Sequence, residues 1–270
     1  MLLSDLGELG LLAELEKRGL VRLVENDAAQ VESNVVTQDA LVERVHFRLD
    51  WISWRELGFR AAAVNLSDLA ASGAEPVGLL VTFGAPGSTR VDDVLDLYAG
   101  MSEAGVPILG GDTTAAERVL LSVTALGRSE RVPGRGGALP GDRLVVTGPL
   151  GAAGAAFRAG GYVRPPLRLE EGRRLAAHAH ALIDISDGIE LDAGHIARRS
   201  GVRCVVDLDR IPLAEAAEAA DLGFGEDFEL LAAVDDPAGF TEIGHCEAGS
   251  GLVLRSGGRE TAPGGYEHFR

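Results

Sequence analysis

The stretch "AAAVNLSDLAASG", Ala61–Gly73, contains almost only small or apolar residues. Ser53 can cap a helix beginning at Trp54, and Gly73 follows its last turn at Ser72. A helix apolar all round is covered by neighbours on every side. Yet Asn65, Ser67 and Asp68 sit in its middle. A carboxylate in such a place is costly unless it is paired or binds a metal. The pattern therefore predicts a central helix whose polar residues face something specific.

Around this helix the chain alternates strand and helix patterns. Leu2–Gly19 reads as one amphipathic helix ended by glycine. "SNVVTQDALVERVHF" (33–47) reads as a strand running into a loop, and Val77–Ala85 as a strand. A helix is predicted over 91–104. "VPILGGDTT" reads as a short strand opening into a glycine-rich turn, followed by a strand over 119–127. The Gly-, Pro- and Arg-rich segment 128–142 is the best boundary. Beyond it come a strand at 143–147, helices near 152–159 and 167–179, a strand at 181–185, a helix over 189–200, and strands at 202–208 and 228–234. The expectation is an α/β protein of the α+β type with two domains, residues 1–135 and 136–270.

The 270 residues carry a net charge of −16, with 46% hydrophobic and 24% charged residues. That balance argues against nucleic acid or an anionic membrane as partner. No apolar run approaches the roughly 20 residues of a membrane span. The N-terminus lacks the basic start of a signal peptide. Cys204 and Cys246 have no metal-ligand spacing and read as core residues. These features predict a cytoplasmic protein. Lys17 is the sole lysine among the 25 Lys and Arg residues. A P-loop and a protein kinase each require a lysine in a particular motif, and neither motif is present. Phosphate chemistry here must use metals, arginine and backbone amides.

"LVVTGPLGAAGAAF" (144–157) imitates a dinucleotide-binding turn. With Gly151 and Gly154 as the last two glycines of the motif, Pro149 stands where the first belongs, and no acidic residue ends a second strand about 20 residues later. It reads instead as a tight turn with close helix packing. The acids are more informative. Asp27, Asp39, Asp68, Asp112, Asp184 and Asp187 lie within or directly after apolar or small-residue stretches, where solvated acids are not expected. Any one could be a cap or turn aspartate. Together, as oxygen ligands with hydroxyl neighbours and no Cys/His cluster, they suit Mg²⁺, and a nearby glycine turn points to nucleotide phosphates.

With these motifs in order, the sequence resembles the bacterial thiamine-monophosphate kinases, within the ATP-binding superfamily of aminoimidazole ribonucleotide synthetase. The resemblance rests on "NDAA", "TQDALVERVHF", "AVNLSDLAASGAEP", "ILGGDTT", "GRGGALPGD", "RPPLR", "DISDGI", "GEDFELL" and the terminal "GGYEHF", and it covers essentially the whole chain. It implies a two-domain, aminoimidazole ribonucleotide synthetase-like fold and a homodimer whose N-terminal domains pair their sheets. It implies direct γ-phosphoryl transfer from ATP to thiamine monophosphate with several Mg²⁺ ions. By the same resemblance Asp27, Thr37, Gln38, Asp39, Asp68, Asp112, Asp184 and Asp187 take metal positions. Tyr98, Gly111, Asp112, Arg135 and Ser186 take nucleotide positions, and His46, Glu226 and Tyr266 take substrate positions. Asp112, Asp184, Asp187 and Arg135 would carry the transfer.

Two positions depart from the family pattern. Glu25-Asn26-Asp27 replaces the usual Gly-Asp-Asp, and Gln38 replaces a Thr or Ser. An amide keeps an oxygen ligand but adds no charge. The competing readings are a non-catalytic nucleotide-binding dimer, or another member of the superfamily. Within it, a selenophosphate synthetase would want a reactive N-terminal cysteine and a hydrogenase-maturation dehydratase a C-terminal one. Neither is present.

Overall fold

A computed structural model describes residues 3–21 and 26–261. Two mixed sheets with helices around them form the molecule. The first, of five strands, contains β1 (Ala29–Val31), β2 (Asn34–Val42), β3 (Glu75–Ala85), β4 (Ile108–Ala115) and β5 (Leu120–Arg128), in the order β1-β2-β5-β3-β4. Only β3 and β4 are parallel; the crossover between them is α3 (Val91–Ser102). The second sheet has seven strands. They are β6 (Arg143–Val146), β7 (Ala181–Asp184), β8 (Arg203–Asp207), β9 (Leu230–Val234), β10 (Thr241–Glu247), β11 (Gly251–Ser256) and β12 (Arg259–Thr261), in the order β12-β11-β8-β10-β6-β9-β7.

Helix α2 (Trp54–Ala71) joins the two halves. Ser53 Oγ accepts the Glu56 amide at 3.2 Å, as the sequence predicts, and Gly73 follows the last turn at φ 60°. One side of α2 packs on α3 and the first sheet, and the other on α5 (Leu169–Ala176), β7 and β9. Its residues from Leu57 to Ala71, apart from Asp68, are all buried. The alanines serve this position. Glycines set the approach on both sides: a Cβ at Gly58 would collide with the Leu97 carbonyl of α3, one at Gly100 with the Arg55 carbonyl, and one at Gly172 with the Ala70 carbonyl.

The "RPPLR" segment straps the second half across this core. Arg164 donates to both Glu56 oxygens at 2.9 and 2.7 Å and to Glu103 at 2.9 Å, with its guanidinium 4.1 Å above the Phe59 ring. Arg168 grips Glu229, 3% exposed, through two bonds of 2.7 and 2.6 Å. A truncation leaving Glu229 buried and unpaired is costly, whereas the exposed Arg164 pairs contribute modestly.

Three sequence expectations need correction. Gly7, at φ 69° and ψ 176°, interrupts α1 (Leu3–Lys17), so it is not one continuous amphipathic helix. "GGDTT" is strand, not turn. Gly110 and Gly111 run through β4 at φ 155° and 150°, and a Cβ at Gly111 would collide with the Val81 carbonyl of β3. Strands β10, β11 and β12 lie in a region for which the sequence reading assigned no element. Cys204 and Cys246 are buried core residues as expected, directly opposite each other on β8 and β10.

Gly58→Ala tests the helix contact. Helix propensity favours alanine by about 1 kcal/mol. A backbone carbonyl cannot rotate out of the way, however, so overpacking dominates. Net destabilisation of about 2 kcal/mol is expected, read as a lower urea midpoint at unchanged m-value. Gly87→Ala, with nothing within 4 Å of the new methyl group, stays within about 0.5 kcal/mol of the parent.

Candidate functional site

The three polar residues of α2 each meet a different element. Asn65 Oδ1 accepts the Asp39 amide of β2 at 3.1 Å, while its Nδ2 donates to Ala61 O at 3.0 Å. Ser67 Oγ donates to Asp184 Oδ2, at the end of β7, at 2.6 Å. Asp68 Oδ2 accepts the hydroxyl of Thr37 from β2. One helix thus ties the end of a strand from the second sheet to a strand of the first.

Asp27, Asp68 and Asp184 converge there, each with an oxygen within 4.8 Å of the others. Burial drives their titration. Asp68 is held well above the carboxylate range by desolvation and then by the charges of Asp184, Asp39 and Asp27. Asp184 is pushed up to about 8, chiefly by desolvation and then by Asp27. Asp39 is raised by burial and by Asp27 and Asp187. Asp27 is also raised by burial, and Arg135 opposes that shift. Arg135 donates to Asp27 Oδ1 from Nε at 2.9 Å and from Nη2 at 2.5 Å. It is the cation of the cluster, not an exposed loop residue. Clustered carboxylates that repel one another to this degree, with one arginine against them, fit divalent cations bound through oxygen.

Beside the trio opens a cavity of about 620 Å³. Ser186, Asp187, His46 and Glu226 all line it. His46 Nδ1 accepts the Val42 amide at 3.0 Å, which orients the ring. Glu226 pairs with Arg60, a buried cation of α2 whose guanidinium lies 5.5 Å from the Tyr162 ring. Opposite them is an aromatic wall. Phe157 stands 5.5 Å from Trp51 and 4.9 Å from Phe224, and Arg48 lies 4.7 Å above Trp51. Charged groups and ring faces together suit an amphiphilic cationic heterocycle.

The structure also separates residues that the sequence grouped. Gln38 is the clearest correction. Strand alternation places Thr37 inward and Gln38 on the exposed face, where its Nε2 donates to Ser122 Oγ at 2.7 Å. Its side chain therefore turns away from the trio. Asn26 Oδ1 lies against Gly134. Gly111 and Asp112 are on the exposed strand β4, and Asp112 is not one of the trio. Tyr98 lies on α3 with its ring against the first core. Tyr266 falls outside the described residues. The sequence reading missed Arg60, Trp51, Phe157, Phe224 and Asp192. Arg60 carried a signal, a basic residue directly before the small and apolar run that begins at Ala61. Asp192, 1% exposed on α6 (Ile189–Ser200), accepts the Asp187 amide at 3.2 Å and so orients that turn.

Residues 24–129 match the family model described as AIR synthase related protein, N-terminal domain. The fold is therefore of the AIR synthase-like class. A thiamine-monophosphate kinase of Aquifex aeolicus is 31% identical over the full length of both chains. One from Mycobacterium tuberculosis is 36% identical, with 90% of this chain and 84% of the relative covered. A solved structure of AaThiL complexed with AMPPCP and TMP superposes with a TM-score of 0.91 at 30% identity, over 99% of each chain. This chain belongs to the thiamine-monophosphate kinase family.

The acid trio has a consequence for stability. Asp184 has its native pKa near 8, against 3.8 unfolded. Between those values the folded chain holds more protons than the unfolded one, so stability falls as pH rises from about 4 to about 8. Asp184→Asn keeps an acceptor for Ser67 and removes the charge. Without divalent ions, its thermal midpoint should exceed that of the parent at pH 8, and the gap should close at pH 5. Equal midpoints at both pH values would show that Arg135 alone relieves the cluster.

Proposed function

We propose that this chain transfers the γ-phosphoryl group of ATP directly to thiamine monophosphate, forming thiamine diphosphate with Mg²⁺. The observation that carries the reading is the position of the carboxylate trio beside a cavity lined by aromatic rings and by charged residues of both signs. Phosphoryl transfer between two anions requires in-line positioning and charge cancellation, and little covalent chemistry. Asp27, Asp68 and Asp184 would hold the metal ions, with Thr37, Asp39, Asp112 and Asp187 as further ligands. Mg²⁺ there supplies neutralisation of the phosphate charge. Arg135, which donates to Asp27, would serve as the cationic partner of a nucleotide phosphate beside the metal-holding acids. Tyr98, Gly111, Asp112 and Ser186 contact the nucleotide. The heterocycle occupies the aromatic cavity, with Glu226 and His46 recognising its polar and charged parts.

We also propose that residues 1–135 form an N-terminal ATP- and Mg-binding, dimerisation domain and residues 136–270 a C-terminal α/β domain, a division supported by the first sheet ending at Arg128 and the second beginning at Arg143. A cytoplasmic place of action is part of the same proposal. Among the described residues, no helix is long and apolar enough to cross a membrane.

The deciding assay combines purified protein, Mg-ATP and thiamine monophosphate, and reads thiamine diphosphate by chromatography. Product is expected from the parent, and a loss of about a hundredfold or more from Asp39→Ala and Asp112→Ala, both folded. ATP binding without product from the parent would overturn the kinase reading.

Assembly is a second proposal. Val77 and Leu80 are exposed on β3 and Leu109 on β4, and β4 is an uncovered sheet edge. An exposed edge with apolar residues is suited to pairing with a second copy. Light scattering should give twice the 28.2 kDa chain mass, and Leu80→Arg together with Leu109→Arg should halve it. A parent of single-chain mass would refute the dimer.

A further inference from the structure

We infer that Asp227 is a positioning residue that holds the walls of the thiamine-side cavity together, an assignment that rests on the functional reading above. Asp227 lies between Glu226 and Phe228, is 5% exposed, and does not itself line the cavity. Both of its carboxylate oxygens accept the Gly151 amide at 2.9 Å. Backbone amides of Ala152 and Ala153 also bond to it. These are the first residues of α4 (Ala152–Arg158), the helix that carries Ala153 and Phe157 into the cavity. The dinucleotide-like glycine turn is thus already filled, by a carboxylate of the chain's own.

The same short segment is clipped on its other side. Glu226 N–H donates to Ser186 O at 2.8 Å, and Phe228 N–H donates to Ile185 O at 2.9 Å. Glu226 and Phe228 hold φ values of 57° and 52°, a left-handed conformation that side-chain-bearing residues adopt only when their surroundings impose it. Asp227 provides that imposition. Its bonds to α4, with the backbone pairs to 185–186, connect three cavity walls: the Ser186–Asp187 turn, Glu226, and Phe157 on α4. Releasing it frees α4 and the Glu226 turn to move apart, while the Asp27–Asp68–Asp184 trio keeps its own links to α2 and β2.

The consequence is a defect in one substrate only. Asp227→Ala should raise KM for thiamine monophosphate about tenfold or more, with KM for ATP within about twofold of the parent. Asp227→Asn, which retains an acceptor oxygen, should show a smaller change in the same direction. Because Asp227 acts through α4, its effect should overlap with that of Phe157→Ala, so the double variant should be no worse than about the larger single effect. Equal increases in both KM values, or fully additive effects in the double variant, would overturn the assignment. Hydrogen exchange read by mass spectrometry decides the physical link independently of turnover. Asp227→Asn should lose protection over 151–158 and keep it over 189–200; unchanged protection over 151–158 would also overturn it. Parent protein that makes no thiamine diphosphate would defeat the functional reading, whereas the exchange result would still decide whether Asp227 anchors α4.

Discussion

The constraint on which the structure depends is the convergence of three desolvated carboxylates at α2, which itself supplies Asp68. Such groups oppose folding when ionised together, since desolvation and mutual repulsion act in the same direction. The chain lessens this with a hydroxyl from Thr37, another from Ser67 and the guanidinium of Arg135. The two hydroxyls come from different halves of the cluster, and α2 must lie close to both sheets for them to reach. That requirement explains the run of alanines and the glycines at 58, 100 and 172. Bulkier residues at those glycines would push α3 and α5 away from α2.

The substrate half is built on a different principle. Its cavity is assembled from segments with few regular contacts: a loop after β2, the turn after β7, the GED segment and a short α4. Ion pairs set their positions. Arg168 on Glu229, Arg164 on Glu56 and Glu103, and Arg60 on Glu226 each join the second half to α2 or to its own sheet. In a chain with one lysine this work falls to arginine, whose planar fork matches a carboxylate with two bonds. An acidic protein can therefore present a positively rimmed pocket, with Arg44 and Arg48 at its lining, while its net charge stays strongly negative.

Some of this was readable directly. The cap at Ser53 and the stop at Gly73 bounded α2 almost to the residue, because capping depends on local backbone chemistry. The apolar runs of β3, β5, β7 and β9 were equally clear. Strands β10 and β11 were not, since "TEIGHCE" and "GLVLRS" mix polar and apolar residues without a sustained pattern, and their burial comes from pairing with β8 and β6. The glycines of "GGDTT" suggested a turn because glycine frees the backbone. Here they meet a steric demand instead, the close approach of β4 to β3.

For the site, the sequence by itself determined which residues are chemically available. Acids stand in apolar surroundings, no lysine is placed for phosphate, and the ordered motifs are those of one kinase family. Those properties belong to residue identity and short-range spacing. Tertiary structure decided which acids meet. Asp27, Asp68 and Asp184 converge, Gln38 is turned outward by the alternation of β2, and Asp227 becomes an anchor for a helix far from it in sequence. Contacts between residues so distant along the chain exist only once β2 has paired with β5 and α2 has docked between the sheets. Their geometry follows from that docking, and no local pattern of residues encodes it.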